Sequence, residues 1–195
     1  MSNVLILGAN GSIAHHAIER FLSDTDSQLT LYLRKASRLG KMDANRIRVI
    51  EGDVMDKEML RKAMVEQDIV YANLDGELER MAGNIVTVMD ETGVKRLIFI
   101  SSMGIYGEVP GQTYSPILDP YRKSAEILEA SDLDYTILRP GWFTNKKEID
   151  YEITQKGEPF KGREVSRISV ADLIVKLAQT PGLEIRSSLG ISKAE

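Results

Sequence analysis

The chain has 195 residues, a net charge of −4, 43% hydrophobic and 28% charged residues, and no cysteine. That length supports one full core in an ordinary soluble composition, and the acidic balance gives no reason to expect nucleic acid or an anionic membrane as partner. The missing cysteines exclude disulfides, thiol nucleophiles and cysteine-bound metals; no apolar run reaches membrane-spanning length, and the start of the chain, with no basic stretch before its first apolar run, predicts a cytoplasmic protein.

Val4-Leu5-Ile6-Leu7 reads as a buried strand. Gly8 ends it, and a helix begins near Gly11 and runs to about Leu22, with Ile13, Ala17, Ile18, Phe21 and Leu22 on one face. Strand, glycine turn and helix set free backbone N–H groups and a positive helix end against a diphosphate. The expected seat is Gly8, Asn10, Gly11, Ser12 and Ile13. Gly8 permits the turn, Gly11 admits the phosphates and Ala14 keeps the helix close to the strand. The spacing is G-x-x-G-x-x-A, one residue different from G-x-G-x-x-G. His15 and His16 on this helix have no second ligand cluster, so no metal site is expected.

Residues 28–33 alternate Leu29, Leu31, Leu33 as a second strand, followed by Arg34-Lys35-Ala36-Ser37-Arg38. In a dinucleotide-binding βαβ unit an acid at this strand end takes the 2′-OH of NAD, and an arginine suits the 2′-phosphate of NADP. Here there is no acid, and Arg34 and Arg38 are the expected phosphate ligands. Residues 47–50 form the third strand. Asp53 and Val54 after it are expected against the adenine, and Asp56 caps a helix over 57–64. The fourth strand, 68–72, leads to Asn73 in a loop over the cofactor. A helix over 77–92 follows, stopped by Gly93, with its methionines read as core filler.

The fifth strand, 94–100, runs into Ser101-Ser102-Met103-Gly104-Ile105-Tyr106-Gly107. A serine pair at the carboxyl end of a central strand lies at the crevice where such sheets bind ligands. Neither serine stands in a nucleophile motif with a histidine, so hydrolase chemistry is not expected. Residues 108–120 read as a loop covering the site, 121–130 as a helix and 135–138 as the sixth strand. Pro140, Gly141, Trp142 and Phe143 are expected beside the nicotinamide, with Trp142 as a pocket wall. Beyond residue 146 the pattern weakens to short strands at 151–154, 164–166 and 186–192 and a helix over 170–178 capped by Ser169. The expected fold is α/β: one doubly wound parallel sheet, order 3-2-1-4-5-6 with room for a seventh short strand, helices on both faces. Residues 1–195 form a single domain, with about 145–195 as a small substrate-side extension.

Gly8-Ala9-Asn10-Gly11-Ser12-Ile13-Ala14, Gly52-Asp53-Val54, Phe99 through Gly107 and Tyr135-Thr136-Ile137-Leu138-Arg139-Pro140-Gly141 together resemble the atypical, extended-type short-chain dehydrogenase/reductases. The nearest subgroup is the NmrA-like and biliverdin- or flavin-reductase-like NAD(P)H-binding proteins, and the resemblance covers nearly the whole chain. It implies NADP(H), preferred over NAD(H), with Asn73, Ser101 and Lys123 along the nicotinamide ribose. Ser102 and Lys123 stand for the serine and lysine of the family's catalytic set. The chain departs from the Tyr-x-x-x-Lys pair: Asp119 is four residues before Lys123, and Tyr121, two before it, faces another side of the helix. Either Tyr121 or Tyr106 serves from a shifted position, or tyrosine proton transfer is not part of the chemistry. The resemblance implies an NAD(P)H-dependent oxidoreductase passing hydride to a small planar acceptor such as a flavin or quinone, acting as a monomer or homodimer. A non-catalytic NADP(H)-sensing protein, and more distantly a nucleotide-sugar epimerase or dehydratase, stay open.

Overall fold

The computed structural model describes residues 2–40 and 45–194. Among these described residues ten strands and five α-helices follow in chain order: β1 (Asn3–Leu7), α1 (Ser12–Asp24), β2 (Gln28–Leu33), β3 (Ile47–Glu51), α2 (Lys57–Met64), β4 (Ile69–Ala72), α3 (Leu78–Thr92), β5 (Arg96–Ile100), α4 (Asp119–Glu129), β6 (Asp134–Pro140), β7 (Trp142–Thr144), β8 (Glu152–Thr154), β9 (Glu164–Ser166), α5 (Arg167–Gln179) and β10 (Ser187–Ser192). The main sheet runs β3-β2-β1-β4-β5-β6-β10-β8. Its first seven strands are parallel, and only β8 is antiparallel, against β10. The expected order holds through the sixth strand, and β10 and β8 extend it. Among the described residues no helix is long and apolar enough to cross a membrane.

Covering both faces explains why the central strands read as continuous apolar runs. Along β1, Val4 and Ile6 pack toward α1 and α5 with Phe21, Leu31, Val170 and Ile174. Leu5 and Leu7 pack toward α2, α3 and α4 with Tyr32, Val88, Phe99 and Leu128. Each such fully buried aliphatic side chain contributes roughly 1.5–3 kcal/mol. All the strands that carry site residues therefore present their carboxyl ends along one rim.

The helix boundaries follow local chemistry. Asp56 Oδ1 accepts from the Met59 amide at 3.1 Å, as expected for a cap, and Gly93 closes α3 in the left-handed region at φ 77°. Two starts differ from expectation. Helix α4 begins at Asp119, with Pro120 in its first turn, where a missing N–H costs nothing. Helix α5 begins at Arg167, and its cap is Ser166, whose Oγ accepts from the Ser169 amide at 3.0 Å. Ser169 itself is buried and turned to the Glu148 carbonyl. The strands at 151–154 and 164–166 join different sheets: β8 adds to β10, and β9 pairs with β7. Strand β7 forms because the chain leaves the main sheet at Gly141, where a Cβ would stand 2.5 Å from the Arg163 carbonyl oxygen.

Candidate active site

A cleft of about 460 Å³ opens over the carboxyl ends of β1, β2, β3 and β4. Its base is the β1–α1 turn. Gly8 has φ 75°, and a Cβ there would lie 2.0 Å from the Asn73 carbonyl oxygen; a Cβ on Gly11 would lie 1.9 Å from Asn73 Nδ2. The two glycines thus admit the exit of β4, whose Asn73 amide donates to Leu7 O at 2.9 Å. No side chain caps α1, and no acidic residue stands in its first turn. Its leading amides therefore remain available to an anion.

The far side of the cleft is basic. Arg34, Lys35 and Arg38 line it and are exposed, and among the described residues no carboxylate pairs with them. Their loop is held by Glu51, whose carboxylate accepts from the Ala36 amide at 2.9 Å. Gly52, Asp53 and Val54 form the third wall. One oxygen of Asp53 accepts from the Met55 amide at 2.9 Å, closing its own turn. Tyr32 packs beneath, its hydroxyl donating to Asp53 O at 2.9 Å. Burial, and then the charges of Asp56 and Asp53, push its pKa up to about 12, so it stays neutral. A Cβ on Gly52 would strike that hydroxyl at 2.4 Å.

A second cavity, of about 410 Å³, lies over the ends of β5 and β6. Ser101, Ser102 and Met103 line it from one strand end, and Pro140, Gly141, Trp142 and Phe143 from the other. The segment before α4 roofs it with Val109, Tyr114, Ile117 and Leu118, and Tyr121 of α4 completes the wall. Trp142 is 69% and Ile117 77% exposed, so the mouth is broad and apolar. Ser101 Oγ is buried without a hydrogen-bond partner; Ser102 Oγ donates to Met103 O at 3.2 Å. Burial, and then the charge of Asp75, raise the pKa of Tyr121. Asp75 lines the basic cleft, so Tyr121 stands where the two cavities approach each other. That proximity follows from the pairing of β4 with β5.

The floor is braced by a buried ion pair. Glu108 accepts from Arg139, from the Gly104 amide at 3.1 Å and from the Tyr106 amide at 2.9 Å. Arg139, wholly buried, also donates to Ser188 O at 3.1 Å. The turn after β5 is thereby tied to β6 and β10.

A family model described as NAD(P)H-binding matches residues 8–181. The chain belongs to this NAD(P)H-binding family. It is similar, at 43% identity and a TM-score of 0.90, to a Rossmann-fold NAD(P)-binding family protein from Shigella flexneri, over 99% of this chain and 94% of that one. A wide-type short-chain dehydrogenase/reductase from Veillonella parvula in complex with NADP matches at 29% identity and a TM-score of 0.90, over 98% of this chain and 94% of that one. Quinone oxidoreductase 2 of Escherichia coli (strain K12) is 24% identical over 145 residues, 72% of this chain and 49% of that protein. The chain thus spans about half the length of that relative. The resemblance to atypical short-chain dehydrogenase/reductases is borne out.

Within this NAD(P)H-binding fold, Gly8, Asn10, Gly11, Arg34, Arg38, Asp53, Val54 and Asn73 line one cavity. Ser101, Ser102, Tyr121 and the segment from Pro140 to Phe143 line the other. Ser12 and Ile13 are not among the residues lining either cavity; they open α1 just past Gly11, and Ile13's side chain is buried in the core. Two expected catalytic residues are not brought to either cavity. Tyr106 turns away, its hydroxyl bonded to Glu129 at 2.7 Å and Ser188 at 3.2 Å, and burial above all raises its pKa. Lys123 is half exposed and pairs with Glu79 of α3 at 3.2 Å. Leu74, beside Asn73 in the loop after β4, lines the cleft as well, and so do Tyr32, Asp75 and Met81, which the sequence patterns do not mark. Met81 shares the apolar stripe of α3 with core residues, so periodicity alone did not mark it.

Proposed function

We propose that the protein is an NADPH-dependent reductase that passes hydride to a small planar acceptor, of the flavin or quinone class, held in the apolar pocket. The observation that carries this reading is the pairing of the two cavities: a basic cleft over an uncapped helix start, beside an aromatic pocket on neighbouring strand ends. The residues fit the cofactor. The Gly8–Gly11 cradle has no room for side chains, and the free amides of α1, including those of Ser12 and Ile13, suit a diphosphate. Arg34 and Arg38 hold the 2′-phosphate through paired N–H groups. Asp53 and Val54 hold the adenine. Asn73 and Ser101 contact the nicotinamide ribose, where the unpartnered Ser101 hydroxyl gains an acceptor. When bound, NADPH supplies a hydride from its nicotinamide.

Pro140 to Phe143 would stand beside the nicotinamide at the edge of the acceptor pocket, leaving the two rings free to meet. Trp142, Phe143 and Tyr114 cover a flat ring and exclude water. Ser102 hydrogen-bonds the acceptor's polar edge, and Tyr121, kept protonated by its surroundings, supplies a proton. A second reading, an NADP(H) sensor without turnover, draws on the absence of Lys123 and Tyr106 from both cavities.

Two measurements on one preparation test the proposal: NADPH and NADH binding, and NADPH oxidation against a panel of flavins and quinones under single-turnover conditions. Arg34→Ala with Arg38→Ala should weaken NADPH on the order of 100-fold and leave NADH nearly unchanged. Equal losses for both cofactors would refute the phosphate assignment. Tight binding without hydride transfer to any acceptor would favour the sensor.

A further inference from the structure

Arg167 is the first residue of α5. Its Nε donates to Ser12 Oγ at 3.1 Å. Its Nη1 donates to Asn145 Oδ1 at 2.8 Å and to Thr144 O at 3.4 Å. Its Cζ lies 5.2 Å from the centroid of the Phe143 ring. Every one of these partners is neutral, and among the described residues no carboxylate pairs with it. The Nη2 group has no protein partner and is not among the buried unpartnered atoms, so it is open to solvent.

The position matters. Ser12 opens α1, one residue past Gly11 of the cleft, and Phe143 lines the apolar pocket. An uncompensated guanidinium therefore stands beside the amides that face the cleft, oriented by three acceptors and a ring. Arg20, also between α1 and α5, pairs by contrast with Asp24 and Asp172. A guanidinium left without an acid, with a free N–H edge, is matched to a phosphate.

We propose that Arg167 is a ligand of the dinucleotide's diphosphate, and that it couples cofactor binding to the wall of the acceptor pocket. The assignment rests on the reading of the basic cleft as the NADPH seat. Nη2 donates to a diphosphate oxygen while Nη1 keeps its bonds to β7 and the residue after it. The phosphate thereby fixes the guanidinium beside Phe143 and adds to the contacts that already hold α5 on α1. A cofactor that loses its diphosphate contact would leave the Phe143 side of the pocket less ordered.

The test is binding, read by calorimetry and by the fluorescence of Trp142, the only tryptophan in the chain. The ligands are NADPH, NADP⁺ and adenosine 2′-monophosphate, which keeps the adenine and 2′-phosphate but has no diphosphate. Arg167→Ala should weaken both dinucleotides roughly 10- to 100-fold and leave adenosine 2′-monophosphate unchanged. Arg167→Lys should recover part of the loss, because it returns the charge without the fork. Arg34→Ala serves as the contrast and should weaken all three ligands. Unchanged dinucleotide affinity in Arg167→Ala would overturn the proposal and leave a structural tie. Unchanged dinucleotide affinity with a raised KM for anionic acceptors alone would overturn it too, moving the anion to the acceptor. Equal loss of adenosine 2′-monophosphate would also contradict it, since the damage would then extend to the whole cleft. Failure of the wild-type protein to bind NADPH would instead sink the proposed function itself.

Discussion

Tyr121 is the one tyrosine of the expected pair that reaches a cavity, and its environment decides what it can do. Burial and the negative charge of Asp75 both disfavour the phenolate, so the group holds its proton past the ordinary value of about 10. On the proposed reading it can therefore donate a proton but not accept one. Tyr121→Phe should lower kcat for a quinone, which takes up a proton, by on the order of 10-fold or more, with NADPH affinity unchanged. The wild-type rate should hold through neutral pH and fall only as pH rises above about 10. Rates identical in Tyr121→Phe would remove it from the chemistry. The other candidate, Tyr106, shows where sequence reading stops. Gly104 and Gly107 flank it at φ 91° and 71°, and these reversals turn its ring to Glu129 and Ser188. A loop side chain's direction depends on such dihedrals, which spacing does not reveal. Lys123 was misplaced for a related reason: its helix position is visible, but the attraction of Glu79 on a different helix is not. By contrast, Gly8, Gly11, Arg34, Arg38, Ser101 and Ser102 were legible because strand ends fix them.

At the scale of elements, the β1–α1 turn and the turn after β5 make separable claims. Both glycines of the first turn face Asn73, but they face different atoms. Gly8 meets a backbone oxygen and holds positive φ, so Gly8→Ala should cost about 1–3 kcal/mol of stability. Gly11 meets the end of a side chain, which can move. Gly11→Ala should therefore keep most of its stability in urea unfolding while losing NADPH affinity, because the displaced amide and the new methyl occupy the cleft. A Gly11→Ala variant that binds normally would contradict the cradle. After β5, Glu108 is the hub. Glu108→Ala strands the buried Arg139 and frees two amides, and should cost about 3–5 kcal/mol. Glu108→Gln keeps one acceptor oxygen, and with it one of the two amide bonds, and should lose less. The central strands and long helices were readable from apolar runs and caps. Strands β7, β8 and β9 have three residues each, too few for a period, and their pairing is set by Gly141 and by contacts distant in sequence.

For the whole molecule, the tyrosines set an alkaline limit. Burial raises Tyr71 and Tyr106, burial and Asp172 raise Tyr151, and Tyr32 stands at about 12. Above about pH 10 the unfolded chain sheds phenolic protons that the folded chain keeps. Stability from these groups is fully present below that value and is lost as pH rises through the folded values. The midpoint of thermal unfolding should accordingly fall beyond pH 10; a midpoint that climbs there would be inconsistent with buried neutral tyrosines.

The fold also makes one geometric demand on catalysis. On the proposed reading, a nicotinamide reaching from the basic cleft would present one face to the pocket between Ser102 and Trp142. The most direct measurement is a single turnover with NADPH deuterated at either of the two C4 positions, in the presence of a flavin acceptor. Transfer well above the buffer rate, with deuterium delivered from one position only, is the expected result. Transfer from both positions alike, or none above buffer for any flavin or quinone, would contradict the account.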